Sequence, residues 1–372
     1  MRIGINGYLA ARGVGGIARH SLVLLEALLR YAPEHEYVVF SDRPLPADLR
    51  SDQRIVNRVF RLPPFTAWEQ FGIPLLATGS RLDVFFGPAY GLPLLLLGTP
   101  TVLMIHDLGF QLVPETHLQK ARGYYDIFLR PSLRRARRVI TPSQSTARDT
   151  SALLRVPRER IDVIYNAISP RFRPVADPTT LASVRSRYDL PERFILYLGT
   201  IEARKNLVRL IAAYARARAV HGITEPLILA GSLGWLYEDV LNLPAKLGLE
   251  NDVRRLGFVE DADLPALLSA AHLFVYPSLY EGFGLPPIEA MACGTPVVAS
   301  SAPSLPEVLG DAALLADPRD VDALADALAR GVTDAPLRSR LREAGFAQSA
   351  RYTSEALANQ TLASFERAVK GR

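Results

Sequence analysis

Apolar residues in this chain occur in short continuous runs, separated by longer stretches where they return every three or four positions. The short runs read as buried strands and the longer stretches as amphipathic helices. Residues 2–6 form the first run, and 17–29 follow as a helix with an apolar stripe. Strand-like runs recur at 37–41, 83–86, 101–105 and 138–141, with helical segments between some of them. A second cycle begins at 194–198 and continues through 226–230, 253–256, 273–276 and 296–299. Helices are predicted at 206–219, 264–271, 322–330 and 336–351, and an amphipathic terminal helix at 354–370. Such alternation predicts parallel sheets covered by helices. Pro170, Pro174 and Pro178 interrupt it between the two cycles. This places a linker at 169–190, a first domain at 1–168 and a second at 191–353, with the last stretch, about 354–372, a separate terminal helix. Two doubly wound α/β domains with a cleft between them are therefore expected, with ligands beyond the carboxyl ends of the strands.

Composition narrows the class. The chain has 372 residues, 49% of them hydrophobic, enough for two or three domains with cores of their own. Its formal charge of +5 is a mild basic bias, compatible with anionic substrates or an anionic membrane face. Cys293 is the one cysteine, so no intrachain disulfide forms, which fits a reducing, cytoplasmic setting. The opening Met-Arg-Ile-Gly-Ile-Asn-Gly lacks the apolar run of a signal peptide. The longest nearly apolar run, about 90–105, is broken by Gly91, Pro93, Gly98 and Pro100, and reads as no membrane span. No Cys/His cluster suggests zinc, no internal repeat is found, and nothing points to a nucleic-acid partner.

The candidate chemistry centres on Glu281-Gly-Phe-Gly-Leu-Pro-Pro-Ile-Glu289. The prolines suit the first turn of a helix, and Gly294 supplies a stop after Ala292-Cys293. Gly282-Phe283-Gly284 then lies at a helix N-terminus, where N–H groups and the helix dipole favour phosphate. With Glu281 before the loop and Glu289 inside the helix, a phosphate cradle gains a hydroxyl acceptor on each side, as a nucleotide-sugar site requires. An ordinary strand-to-helix turn with surface glutamates is the competing reading. Upstream, the run 194–198 ends in Gly199-Thr200-Ile201-Glu202-Ala203-Arg204-Lys205-Asn206. Arg204 and Lys205 can neutralise a leaving nucleoside diphosphate, whose charge grows as the bond breaks.

Other features are weaker. Gly13-Val14-Gly15-Gly16 lacks the spacing of a dinucleotide fingerprint, although Asp42 after the 37–41 run keeps an NAD-dependent dehydrogenase in view. A flexible loop approaching a phosphate or sugar is the preferred reading. His106-Asp107 follows a strand and falls at a carboxyl end, where His106 can meet a sugar hydroxyl. Asp261-Ala-Asp263 precedes Leu264-Pro265 and reads as helix capping, so metal-independent chemistry is expected. Arg130, Arg134, Arg135, Arg137 and Arg138 put five arginines in nine residues, either a solvated helix face or an anionic membrane contact.

These motifs together resemble the group 1, family 4 retaining glycosyltransferases. The stretch Phe274 to Val298, with Glu281 and Glu289, is similar to that family's signature. Leu198 to Leu207, Leu256 to Val259, Val102 to Asp107 and the opening glycine loop are similar to its other blocks. The resemblance implies the GT-B fold: two Rossmann-like domains facing across a cleft, acceptor in the first, nucleotide sugar in the second, the terminal helix returning to the first. It implies that Arg204 and Lys205 hold the diphosphate, and that Phe283, Gly284 and Leu285 offer backbone N–H groups. Glu281 would meet the sugar hydroxyls, Glu289 the ribose, Phe258 and Val259 the base, His106 the transferred sugar, and Gly15 or Gly16 the phosphate. Many members carry arginine where this chain has Thr200, so one phosphate contact is missing or comes from Arg204. The Gly-Thr-Ile-Glu-x-Arg-Lys-Asn block looks like that of mannosyltransferases of bacterial surface-polysaccharide assembly. The expected reaction moves mannose from GDP-mannose to a saccharide acceptor, lipid-linked, at the inner face of the cytoplasmic membrane. No cofactor beyond the donor substrate is expected. A sugar-nucleotide epimerase on the same fold and a non-catalytic sugar-nucleotide-binding partner are the other readings.

Overall fold

The computed structural model describes residues 1–13, 15–117, 123 and 125–371; Val14 of the glycine loop lies outside them. The chain divides into two compact units. The first comprises Met1–Leu108, Gln119–Ala167 and Tyr352–Arg372, and the second Gly109–Leu118 and Ile168–Arg351.

The first unit is built on a seven-stranded sheet of β1 (Arg2–Asn6), β2 (Glu36–Ser41), β3 (Ile55–Val59), β4 (Val84–Gly87), β5 (Thr101–Met104), β6 (Arg138–Thr141) and β7 (Ile161–Val163). Its order is β3-β2-β1-β4-β5-β6-β7 and every pair is parallel. The central strands are buried along their whole length, as parallel strands covered on both faces must be. The helix Gly16–Tyr31 turns Leu24, Leu25 and Leu28 into the core. The predicted terminal helix is present as Ser354–Lys370 and packs into this unit, with Phe365 fully buried against Phe86 at 5.4 Å between ring centroids. Ser364 donates to Asp162 at 2.6 Å from the same helix.

The second unit carries a six-stranded sheet of β8 (Ile195–Leu198), β9 (Leu227–Ala230), β10 (Val253–Gly257), β11 (Leu273–Tyr276), β12 (Val297–Ser300) and β13 (Ala313–Ala316). The order is β10-β9-β8-β11-β12-β13, again all parallel. Strand order therefore reverses between β1 and β4 in one unit and between β8 and β11 in the other, the positions where open α/β sheets leave a crevice. Part of the stretch expected as linker is a helix, Pro178–Arg187, because Pro178 starts it and Asp177 caps it by accepting from the Thr180 amide at 2.9 Å. Among the described residues no helix is long and apolar enough to cross a membrane.

Candidate active site

The second sheet's switch point is where the chemistry gathers. β8 leads into Gly199, and the neighbouring β9 leads into Gly231, whose amide donates to Gly257 at 2.7 Å. The backbones press so closely that a Cβ on Gly231 would lie 2.0 Å from the Gly199 carbonyl oxygen. Beyond Gly199 a short turn, Ala203–Lys205, ends in Asn206 in the left-handed conformation. Asn206 donates to the carbonyls of Pro277 at 3.0 Å and Pro318 at 2.7 Å, and the Leu279 amide donates to the Arg204 carbonyl at 2.9 Å. The turn carrying Arg204 and Lys205 is thus fastened to the chain leaving β11.

Arg204, Lys205 and Glu281, predicted separately, form one hydrogen-bonded cluster. Lys205 Nζ donates to Glu281 Oε1 at 2.6 Å and to the Tyr276 hydroxyl at 2.8 Å. Arg204 lies 3.1 Å from the same Glu281 oxygen, 3.0 Å from Glu202 Oε1, and donates to the Tyr280 carbonyl at 2.7 Å. Lys205, Glu202 and Glu281 are all buried. Burial pushes the Glu281 carboxyl up, but Arg204 and Lys205 outweigh it and hold the pKa at about 2. Burial, helped by Arg204, pulls the Lys205 ammonium below its ordinary pKa against the pull of Glu281. Two cations and two carboxylates keep the cluster balanced. These bonds use two of the three N–H groups on Lys205, leaving one to address a phosphate. Glu202 and Tyr276 went unassigned in the sequence, although both sit inside the motifs quoted there.

The 281–289 segment is the loop and helix expected. The helix runs Leu285–Ala292 with its prolines in the first turn, and Gly294 takes the left-handed conformation beyond its end. Gly284 precedes it at φ 89°, where a Cβ would meet Leu305 at 2.5 Å. Ser304, itself at φ 72°, donates to the Glu281 carbonyl at 2.8 Å, so a second turn braces the loop. Pro286 and Pro287 have no N–H and the Ile288 amide is taken up by the first helical bond, so Gly284 and Leu285 supply the donors at this helix start. Phe283 and Glu289 are buried. Val259 is buried while the Phe258 ring is 62% exposed, and Thr200 is exposed, its carbonyl accepting from the Tyr197 hydroxyl at 2.9 Å.

In the first unit, His106 follows β5. Its Nε2 lies 2.6 Å from the Pro88 carbonyl oxygen, which can only accept, so this nitrogen carries the proton. Burial lowers the pKa against the Pro88 bond and Asp107, and the neutral ring presents Nδ1 as an acceptor. His20, which the sequence reading missed, stands edge-on to His106 at 5.2 Å between centroids. It is buried, and burial with His106 brings its pKa to about 3. Its helix starts at Gly16, with Gly15 before it at φ 91°, so the glycine loop and His106 are drawn together. A polar residue on the buried stripe of that helix was the available signal.

Several expectations are corrected. Asp263 stands before the helix Leu264–Ala270 but makes no capping bond; it accepts from Arg187 at 2.7 Å and Tyr188 at 2.8 Å, because those donors reach it first. Asp261 pairs with Arg171 at 3.1 Å. Asp42 is gripped by both terminal nitrogens of Arg12, at 2.5 and 2.7 Å, which takes it from a nicotinamide ribose. The arginine run is no uniform solvated face. Arg138 is buried in β6 and bound to Asp162 at 2.5 Å, Arg137 donates to the Ala368 carbonyl at 2.8 Å, and Arg135 donates to the Leu96 carbonyl. Arg130 and Arg134 are exposed.

Comparison with known proteins gives the family and the fold. The family model described as "Glycosyl transferases group 1" matches residues 182–348, and "Glycosyltransferase Family 4" matches residues 14–172. The chain is 37% identical to the O-antigen chain mannosyltransferase B of Escherichia coli, over 94% of this chain and 96% of that protein. Sucrose-phosphate synthase from Thermosynechococcus elongatus shares the fold at TM-score 0.80 and 22% identity, covering 100% of both chains. Anabaena HepE in complex with UDP-glucose does so at TM-score 0.78 and 22% identity, covering 98% of this chain and 99% of that one. The chain belongs to the group 1, family 4 glycosyltransferases and has their GT-B fold.

Proposed function

We propose that the chain is a retaining mannosyltransferase. It moves mannose from GDP-mannose to a hydroxyl of a lipid-linked saccharide in surface-polysaccharide or O-antigen synthesis. The observation that carries the reading is the Arg204–Lys205–Glu281 cluster at the β8/β11 switch point, beside a helix start with Gly284 and Leu285 N–H groups. The O-antigen mannosyltransferase relative supports the sugar and the pathway, and the UDP-glucose complex of HepE supports a nucleotide-sugar donor.

As the bond from the anomeric carbon to the diphosphate oxygen breaks, negative charge grows on the leaving phosphate. Lys205, Arg204 and the helix-start amides stabilise it there more than in the ground state. The acceptor oxygen bonds to the anomeric carbon on the face the diphosphate leaves, and its proton passes to a leaving phosphate oxygen, which retains configuration. In the second unit Glu281 takes hydroxyls of the transferred sugar and Glu289 those of the ribose; in the first, neutral His106 offers Nδ1 to a sugar hydroxyl. The reaction runs without a metal ion: the Asp261 and Asp263 carboxylates are engaged by Arg171 and Arg187.

The test is a binding screen with GDP-mannose, UDP-glucose, UDP-N-acetylglucosamine and NAD, on the native chain and on Glu289→Ala, with and without EDTA. GDP-mannose binding that weakens in the variant, and turnover that survives EDTA, are expected. Preference for a UDP-sugar would overturn the donor, and loss of turnover on chelation the metal independence. Isomerisation of donor alone, or binding of NAD only, would overturn the class.

A further inference from the structure

We propose that the first unit docks on an anionic lipid bilayer through an apolar surface rimmed by arginines and assembled from three chain segments. This deepens the lipid-linked acceptor of the proposed function and rests on that reading only for its purpose.

Leu97 is 77% exposed, Leu75 66%, Ile127 65%, Phe71 62% and Leu95 53%. Among the described residues, only Phe258 and Val220 match this exposure for large apolar side chains. The five are far apart in sequence but their segments are tied together. Gln70 donates to the Leu92 carbonyl at 3.0 Å and accepts from the Leu94 amide at 2.9 Å, joining the turn that bears Phe71 to the 92–98 loop. From the other side, Ser132 accepts from the Leu92 amide at 3.0 Å and Arg135 donates to the Leu96 carbonyl. That fixes the loop against the helix Arg130–Arg135. Leu92 and Leu96 point inward and are buried, so Leu95 and Leu97 are held outward by a braced loop.

Among the described side chains of these segments the exposed charges have one sign. Arg58, Arg61, Arg130 and Arg134 are exposed. Within 58–81, 92–99 and 127–138 the one acidic residue is Glu69, which is fully buried and bound to Asn6 and Gln70. A nucleic acid would engage the arginines and leave five apolar side chains in water. An apolar protein groove would bury the side chains and leave the arginines unanswered. A bilayer with anionic headgroups satisfies both, taking apolar prongs below the headgroups and arginines among the phosphates. An apolar patch of this kind on a soluble unit marks an interaction surface.

The test uses the full chain and vesicles of phosphatidylcholine with or without phosphatidylglycerol. Sedimentation with the anionic vesicles only is expected, partly resistant to salt. Arg130→Ala/Arg134→Ala should lower the partition coefficient at low salt by about 25-fold, at about fivefold per arginine. Leu95→Ser/Leu97→Ser should abolish the salt-resistant part. Each variant is first shown to melt with the native chain, since none of these side chains lies in a core. No binding by the native chain, or unchanged binding by both variant pairs, would overturn the proposal. A concentration-dependent dimer that the leucine pair dissolves, with no vesicle binding, would assign the surface to a second copy and overturn it too. Vesicle binding without turnover of any sugar nucleotide would leave the surface standing and remove the reaction.

Discussion

Each unit buries a polar group beyond the carboxyl end of its sheet, and the two solve the cost of burial in opposite ways. In the first unit His20 and His106 shed their charge: burial lowers both pKa values, His20 to about 3, and two neutral rings meet edge to face. In the second unit the charge stays and is balanced, with Arg204 and Lys205 against Glu202 and Glu281. A neutral pair can accept a sugar hydroxyl without electrostatic rearrangement. A balanced ionic cluster responds to a new anion, because a diphosphate at the remaining Lys205 N–H adds negative charge beside Glu281. The neutral pair therefore suits an uncharged hydroxyl and the ionic cluster an anion whose charge changes.

The sharpest way to break this comparison is to unbalance the ionic cluster. Glu281→Gln leaves two buried cations facing one carboxylate and should cost about 3–5 kcal/mol of stability. Adding Lys205→Met should return much of that loss, since it removes the excess charge. Urea unfolding of the two single variants and the double variant measures the coupling. Losses that simply add would mean the cluster is not electrostatically linked.

Titration separates the two sites next. A histidine with a lowered folded-state pKa is neutral when folded and takes up a proton on unfolding. The stability of the His20 site is therefore full above pH 6.5 and falls as pH drops towards 3, by up to ~1.4 kcal/mol per pH unit. Glu281 has a depressed pKa, so its contribution is present above pH 4.5 and lost only as pH falls towards 2. Between pH 6.5 and 4.5 the loss belongs to the histidines with lowered pKa values, His20 and His106 in the first unit and His272 in the second, and not to Glu281. His20→Gln should reduce the slope of the melting temperature across that window, His106 and His272 keeping the rest, while Glu281→Gln leaves the slope there. A slope unchanged in His20→Gln would place the titration elsewhere.

The two sites also differed in how far the sequence disclosed them. The ionic site lies in contiguous motifs, where prolines open a helix, a glycine closes it and the cations follow a strand, so local chemistry names its residues. That Arg204 and Lys205 share one carboxylate oxygen is a tertiary fact, since β8 and β11 adjoin only after the chain has crossed over. His20 lies on the same stripe as Leu24 and Leu28 and looks like part of the apolar face until His106 is beside it. Among the strands, β3, β7 and β13 went unread. Each is an edge strand with one neighbour and a mixed burial pattern, and so lacks the continuous apolar run that exposes a central strand. Arg138 misled because a charge run was read as surface although its last member already belonged to a strand.

The glycine loops sharpen the comparison at smaller cost. Gly15 and Gly284 share a positive φ, 91° and 89°, but differ in ψ, 168° against 66°, and a Cβ on Gly15 meets nothing within 4 Å while one on Gly284 meets Leu305 at 2.5 Å. Gly15→Ala should lose the ~1–3 kcal/mol of an alanine held in a backbone region that essentially only glycine adopts. Gly284→Ala should lose ~1–2 kcal/mol of left-handed strain and a further ~1–3 kcal/mol by overpacking, and weaken donor binding as the loop shifts. Chemical denaturation and donor titration of both variants decide it. A loss at Gly284 of no more than ~1–2 kcal/mol would mean that Leu305 gives way and the loop is not braced.

Ser304 offers the smallest and most discriminating change. Its hydroxyl holds the Glu281 carbonyl at 2.8 Å and its backbone sits at φ 72°. Ser304→Ala removes the bond and keeps the strain, for about 1 kcal/mol of stability. Ser304→Gly removes the bond and the strain together, so the two changes offset and stability should stay near that of the native chain. If the strained turn serves only as scaffold, both variants should bind donor alike. If it holds Leu305 against Gly284, and so keeps the helix-start amides aimed, glycine is free to leave the left-handed region and release them. The expected result is that Ser304→Gly is the more stable variant and the weaker binder, an inversion that lost contacts alone cannot produce.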